Sequence, residues 1–68
     1  MKWSQMTTEQ QFATLYAMSV YGGGFASQLS EAWKRADSSN SAKLGEAFQD
    51  LVSKFGPGSD FYRSTGTV

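Results

Sequence analysis

The side chains that could do chemistry in this chain form a short list. Its 68 residues include no histidine and no cysteine. The first absence removes the commonest general base and metal ligand; the second removes thiolate nucleophiles, zinc–thiolate sites and disulfides. Carboxylates, lysines and hydroxyls remain. Glu46 and Asp50, one turn apart on a predicted helix, have the spacing of a carboxylate pair that could share general acid–base work. Lys43 and Lys54 flank them, which is the pattern of a solvated helix face, and that reading is the favoured one. Glu9, Glu31, Asp37 and Asp60 are scattered over caps and surfaces, and carboxylates without histidine make a poor metal site. The expectation is a protein that is not an enzyme, with no catalytic residue, cofactor or metal.

Two further constellations could bind a ligand. Gly22-Gly23-Gly24 has the look of an anion-cradling turn ahead of a helix. Phosphate loops follow a buried strand and carry a lysine or an acidic ribose partner, whereas these glycines follow a predicted helix and the next basic residue is Lys34. A plain turn between helices is the better reading. Ser38, Ser39, Asn40, Ser41 and Lys43 would stand at the start of a recognition helix if the second and third helices formed a helix-turn-helix. One lysine there supplies little of the phosphate attraction on which such binding depends. Six basic and six acidic residues cancel, and Lys34-Arg35 is the longest basic run, so the charge argues against a nucleic-acid partner.

These groups must be positioned by helices. Thr7-Thr8-Glu9-Gln10 has the capping-box pattern, opening a first helix that runs over 8–21 and stops at Gly22. A second, over 25–36, carries the stripe Phe25, Leu29, Ala32, Trp33 and Ala36. Asp37-Ser38-Ser39-Asn40-Ser41 is a cluster of capping residues ahead of a third helix over 39–55, whose stripe is Leu44, Ala47, Phe48, Leu51, Val52 and Phe55. Gly56-Pro57-Gly58 ends it. Strand formers are sparse and alternation is absent. The expected fold is all-α: a small three-helix domain over 1–56 and a flexible C-terminal tail over 57–68, with Leu29, Trp33, Phe48 and Leu51 in the core. Glu31–Arg35 and Asp50–Lys54 are the expected surface ion pairs.

No charged residue occurs between Gln10 and Ser30. Polar residues and glycines interrupt this run and the mean hydropathy is -0.41, so it does not read as a membrane span. The first residues lack the apolar core of a signal peptide, and absent cysteine suits a reducing cytoplasm. The first helix is apolar nearly all round. Phe12, Leu15, Tyr16 and Ser19 form one face, Ala13, Ala17, Met18 and Tyr21 another. With the first face packed on the other helices, the second is left for a partner. The expected binding surface is therefore Ala13, Ala17, Met18 and Tyr21 with Gly22, Gly23 and Gly24, occupied by a second copy in a homodimer or by a foreign protein.

Tyr21-Gly22-Gly23-Gly24-Phe25, Leu29, Ala32, Arg35-Ala36-Asp37, Asn40, Leu44 and Ala47-Phe48 together form a pattern that resembles small helical proteins of unassigned function encoded by phages and prophages. The likeness spans about Phe12 to Phe55. The chain departs from it at Ser38 and Gln49, where proline is expected, and this loosens the turn without changing the fold. The resemblance implies a setting and no mechanism: a phage accessory protein in the cytoplasm of a bacterial host. The function expected from both lines is non-catalytic protein binding that modulates or inhibits a host or phage protein. The alternatives are a small helix-turn-helix DNA-binding regulator and a structural or assembly protein.

Overall fold

Capping decides where the first helix begins. The hydroxyl of Thr7 accepts from the amide of Gln10 at 3.1 Å, and the Gln10 side chain accepts from the amide of Thr7 at 2.9 Å. Two otherwise orphaned donors are satisfied reciprocally, and Glu9 adds a negative charge in the first turn. In the computed structural model, which describes residues 1–65, this helix is α1, Thr8–Tyr21. It is preceded by a short 3-10 turn, η1, at Trp3–Gln5, and followed by α2, Gly23–Lys34. Then come α3, Ser38–Ala47, α4, Gln49–Phe55, and α5, Asp60–Ser64. Among the described residues the chain is all-helical, without a strand.

Four features differ from the sequence reading. First, α2 starts two residues early: Gly23 takes φ 73, a conformation open to glycine, and the next residues are already helical. Second, the helix expected over 39–55 is broken at Phe48, which takes φ -115 and ψ 40. The break re-aims α4 so that Val52 and Phe55 fill the centre, while Leu44, Phe48 and Leu51 are only half-buried against it. Trp33 is central as expected, but Leu29 sits at the margin. Third, the segment expected as a flexible tail carries α5. Ser59 caps it through the amide of Tyr62, Tyr62 is buried, and the Phe61 ring lies 5.1 Å from that of Phe55. Residues 66–68 of that tail lie outside the described residues. Fourth, neither expected ion pair forms: Glu31 pairs with Lys34 at 3.4 Å instead of with Arg35, because α2 ends at Lys34, and the Lys54 ammonium lies over the Phe55 ring, 5.5 Å from its centroid, instead of pairing with Asp50.

The core also recruits the first residues of the chain. Trp3 and Met6 are buried, and the Trp3 ring packs against that of Trp33 at 4.7 Å. A glycine in α3 makes the room: a Cβ on Gly45 would stand 2.5 Å from the Cβ and Cγ of Trp3. The Trp33 indole N–H donates to the Ser41 hydroxyl at 3.2 Å, and Asp37 accepts from the amide of Asn40 at 2.9 Å. The serine-rich turn is thereby engaged in capping and in holding Trp33.

Candidate functional site

α1 has almost no apolar–polar asymmetry about its axis, so packing alone decides which side is hidden. The structure hides the side made of Ala13, Thr14, Leu15, Ala17 and Met18. This reverses the expected binding surface. Ala17 and Met18 have no exposed area and Ala13 almost none, so none of the three is available to a partner. The cause is steric. Gly22 alone separates α1 from α2, which leaves no slack between the two helices. A Cβ on Gly22 would stand 2.5 Å from the Cβ of Ala26 and would also run into the Met18 carbonyl. Only a seam of small residues, Ala17, Gly22 and Ala26 with buried Ser30 beyond, lets the helices close. A face built on Phe12 and Tyr16 would hold them apart.

Those large residues point outward instead. Phe12, Tyr16 and Val20 are 59%, 53% and 52% exposed. Spaced four apart, they lie along one ridge, within about 80° of arc at 100° per residue. Glu9 falls on the same arc, one turn before Phe12, and is exposed. Between Glu9 and Glu31 no charged residue occurs, so the ridge is an uncharged aromatic strip with one carboxylate at its head. The sequence reading places Phe12 and Tyr16 on the inner face of α1, and the structure places them on the outer one. The signal in the sequence is the cluster of small residues, Ala17, Gly22 and Ala26, about a one-residue connection that brings two helices close together.

The rest of the expected surface divides. Tyr21 is partly exposed and its ring packs on Phe61 at 5.4 Å, so α5 covers part of it. Gly22 is part of the helix seam. Gly23 and Gly24 are exposed, with nothing within 4 Å of where a Cβ would stand. They open α2, whose N-terminus has no side-chain cap and no acidic residue in its first turn. Glu46 and Asp50 are both exposed and fall on opposite sides of the break at Phe48, on α3 and α4.

A cleft of about 650 Å³ lies between η1 and α3, lined by Lys2, Trp3, Gln11, Ser41, Gly45 and Glu46 among others. Three of its polar side chains are engaged within the chain. Gln11 donates to the Trp3 carbonyl at 3.0 Å, Ser41 accepts from Trp33, and Gln49 at its edge donates to the Met1 carbonyl at 3.2 Å. Lys2 and Glu46 carry opposite charges, so the cleft has no preferred sign. Among the described residues no helix is long and apolar enough to cross a membrane. In comparisons with known proteins, no family model, no curated protein and no solved structure matches this chain.

Proposed function

We propose that this chain is a non-catalytic protein-binding module that engages its target through the ridge Phe12–Tyr16–Val20. The observation that carries the reading is the exposure of three large apolar side chains in a row on a helix with no charge among them. Water gains little from such a row, and contiguous apolar patches on soluble domains mark contact sites. Tyrosine and phenylalanine supply large contact area with few rotatable bonds, the usual composition of an interface centre. Binding of this kind needs no titratable group, which suits a chain without histidine or cysteine. The setting, a phage-encoded protein modulating or inhibiting a host or phage protein in the bacterial cytoplasm, is supported by the residue pattern from Phe12 to Phe55.

The test is comparative capture from infected and uninfected bacterial lysates. Wild type, Tyr16→Glu and Lys43→Glu are immobilised side by side; Lys43 is exposed and belongs to α3, not to the ridge helix. A protein retained by wild type and Lys43→Glu and lost by Tyr16→Glu supports the reading. A protein retained equally by all three refutes the ridge as the binding face.

A further inference from the structure

We infer that in the absence of a target the ridge of α1 is covered by the same ridge of a second copy, the two helices running antiparallel about a two-fold axis at Tyr16. The inference rests on the ridge being a contact face and names its occupant.

Antiparallel pairing about residue 16 brings together positions whose numbers sum to 32. Tyr16 meets itself, Phe12 meets Val20, and Glu9 meets Gly23. A two-fold contact needs one surface that is complementary to itself. This ridge qualifies sterically. The bulky end at Phe12 falls on the slimmer end at Val20, and the central tyrosine rings can stack offset with their hydroxyls at the wet edge.

It qualifies electrostatically as well. Glu9 is the one charge on the arc, and it falls opposite the N-terminus of the partner's α2. That terminus lacks a side-chain cap and an acidic residue, and the backbone at Gly23 and Gly24 is open to approach. A carboxylate is stabilised at the positive end of a helix. The two-fold makes this contact twice. Gly24 has neither a positive φ nor a neighbour within 4 Å, so nothing inside the chain calls for glycine there. Close approach of a second copy does. The formal net charge of zero leaves little long-range repulsion between copies.

The area sets the strength. From the exposures of Phe12, Tyr16 and Val20, and 150–250 Å² for a full aromatic, the ridge offers roughly 300 Å² of apolar surface per copy. A standard interface buries about 800 Å² per partner. The ridge is therefore the dry centre of a small interface, with Thr8, Glu9, Ser19 and the glycine turn as its rim. An interface this small belongs to the weak, transient class, taken as roughly micromolar.

The chain has no cysteine among the described residues, so single cysteines can be placed without background. An equimolar mixture of Phe12→Cys and Val20→Cys, mildly oxidised, should yield the 12–20 cross-linked heterodimer far above the roughly twofold excess over each homodimer that random pairing gives. Products in the statistical ratio, with the heterodimer at only about twice either homodimer, overturn the antiparallel register. In sedimentation equilibrium, wild type should pass from monomer to dimer between about 1 and 100 µM, as a small interface requires. Tyr16→Glu should remain monomeric with an unchanged circular dichroism spectrum. Glu9→Gln should weaken the dimer by about 3- to 30-fold, from two helix-terminus contacts per dimer. A dimer that survives Tyr16→Glu overturns the inference. So does a wild type that stays monomeric at all concentrations, and in that case the reading of the ridge as a target face is still judged separately by the capture experiment.

Discussion

Replacing Gly45 by alanine sets two effects of known sign against each other. Gly45 is in α3, where alanine is preferred to glycine by about 1 kcal/mol. On helix propensity alone the variant is more stable. The added methyl, however, would stand 2.5 Å from two carbon atoms of Trp3 and 2.7 Å from a third. The Cβ and the root of the ring cannot yield as the tip of a long side chain could, so Trp3 has to shift or leave. A shift that keeps the ring in place costs about 1–3 kcal/mol of overpacking strain. Expulsion forfeits the burial of a side chain that is 6% exposed, worth at most about 5 kcal/mol for roughly 200 Å² at 25 cal/mol per Å². After the propensity gain, the net change should be a loss between about 0 and 4 kcal/mol. Urea unfolding followed by circular dichroism measures it. Tryptophan emission reports the mechanism, because Trp3 leaving its contact with Trp33 shifts the spectrum to the red. The decisive control is Trp3→Gly, which removes the Cβ as well as the ring: in that background Gly45→Ala should reverse sign and stabilise. Stabilisation by Gly45→Ala in the wild-type background would refute the argument that this glycine exists to seat Trp3.

Phe55 is 1% exposed at the centre of the core, so Phe55→Ala should lose about 3–5 kcal/mol in chemical denaturation, enough to unfold a domain of this size. Ala17→Glu buries an unpaired charge at a position with no exposed area and should abolish the helical circular dichroism signal, whereas Tyr16→Glu should leave it intact. Equal tolerance of the two would mean that the faces of α1 are assigned the wrong way round. Truncation after Gly58 uncovers Phe55 and removes Phe61 and Tyr62, and it should lower the melting temperature by at least about 8 °C, as expected for a loss of 2 kcal/mol or more. An unchanged melting curve would show that α5 does not contribute to the core.

What could be read in advance follows from how local each signal is. The capping box at Thr7 and Gln10 and the cap at Asp37 are written within four residues, and both appear in the structure. The helices α1 and α2 likewise follow from period and punctuation. The break at Phe48 has no local mark, since the stripe from Leu44 to Phe55 keeps helical spacing through it. It answers to the packing of Val52 and Phe55 across the molecule. Trp3 was overlooked because three residues cannot show a period, and its slot at Gly45 is distant in sequence. The binding face failed for a different reason. Both sides of α1 are apolar, and hydrophobicity cannot rank them; the ranking comes from the single-residue connection at Gly22, which calls for small residues where the helices close, while Leu15 and Met18 fill the core beside that seam. The proposed site thus stays on the helix first indicated by the uncharged run, rotated to its other side.

The anchoring of the chain's first residues has a kinetic consequence. α1 and α2 are neighbours in sequence joined by one residue, so their hairpin forms from local contacts, the fast kind. Trp3 finds Gly45, and the Met1 carbonyl finds Gln49 48 positions away, only after a long loop has closed. In stopped-flow refolding, helical ellipticity should therefore rise before the tryptophan emission reaches its native value. Gly45→Ala should slow the second signal and spare the first. The N-terminal turn then behaves as a latch: the last piece to close during folding, and the first to open when the native state fluctuates.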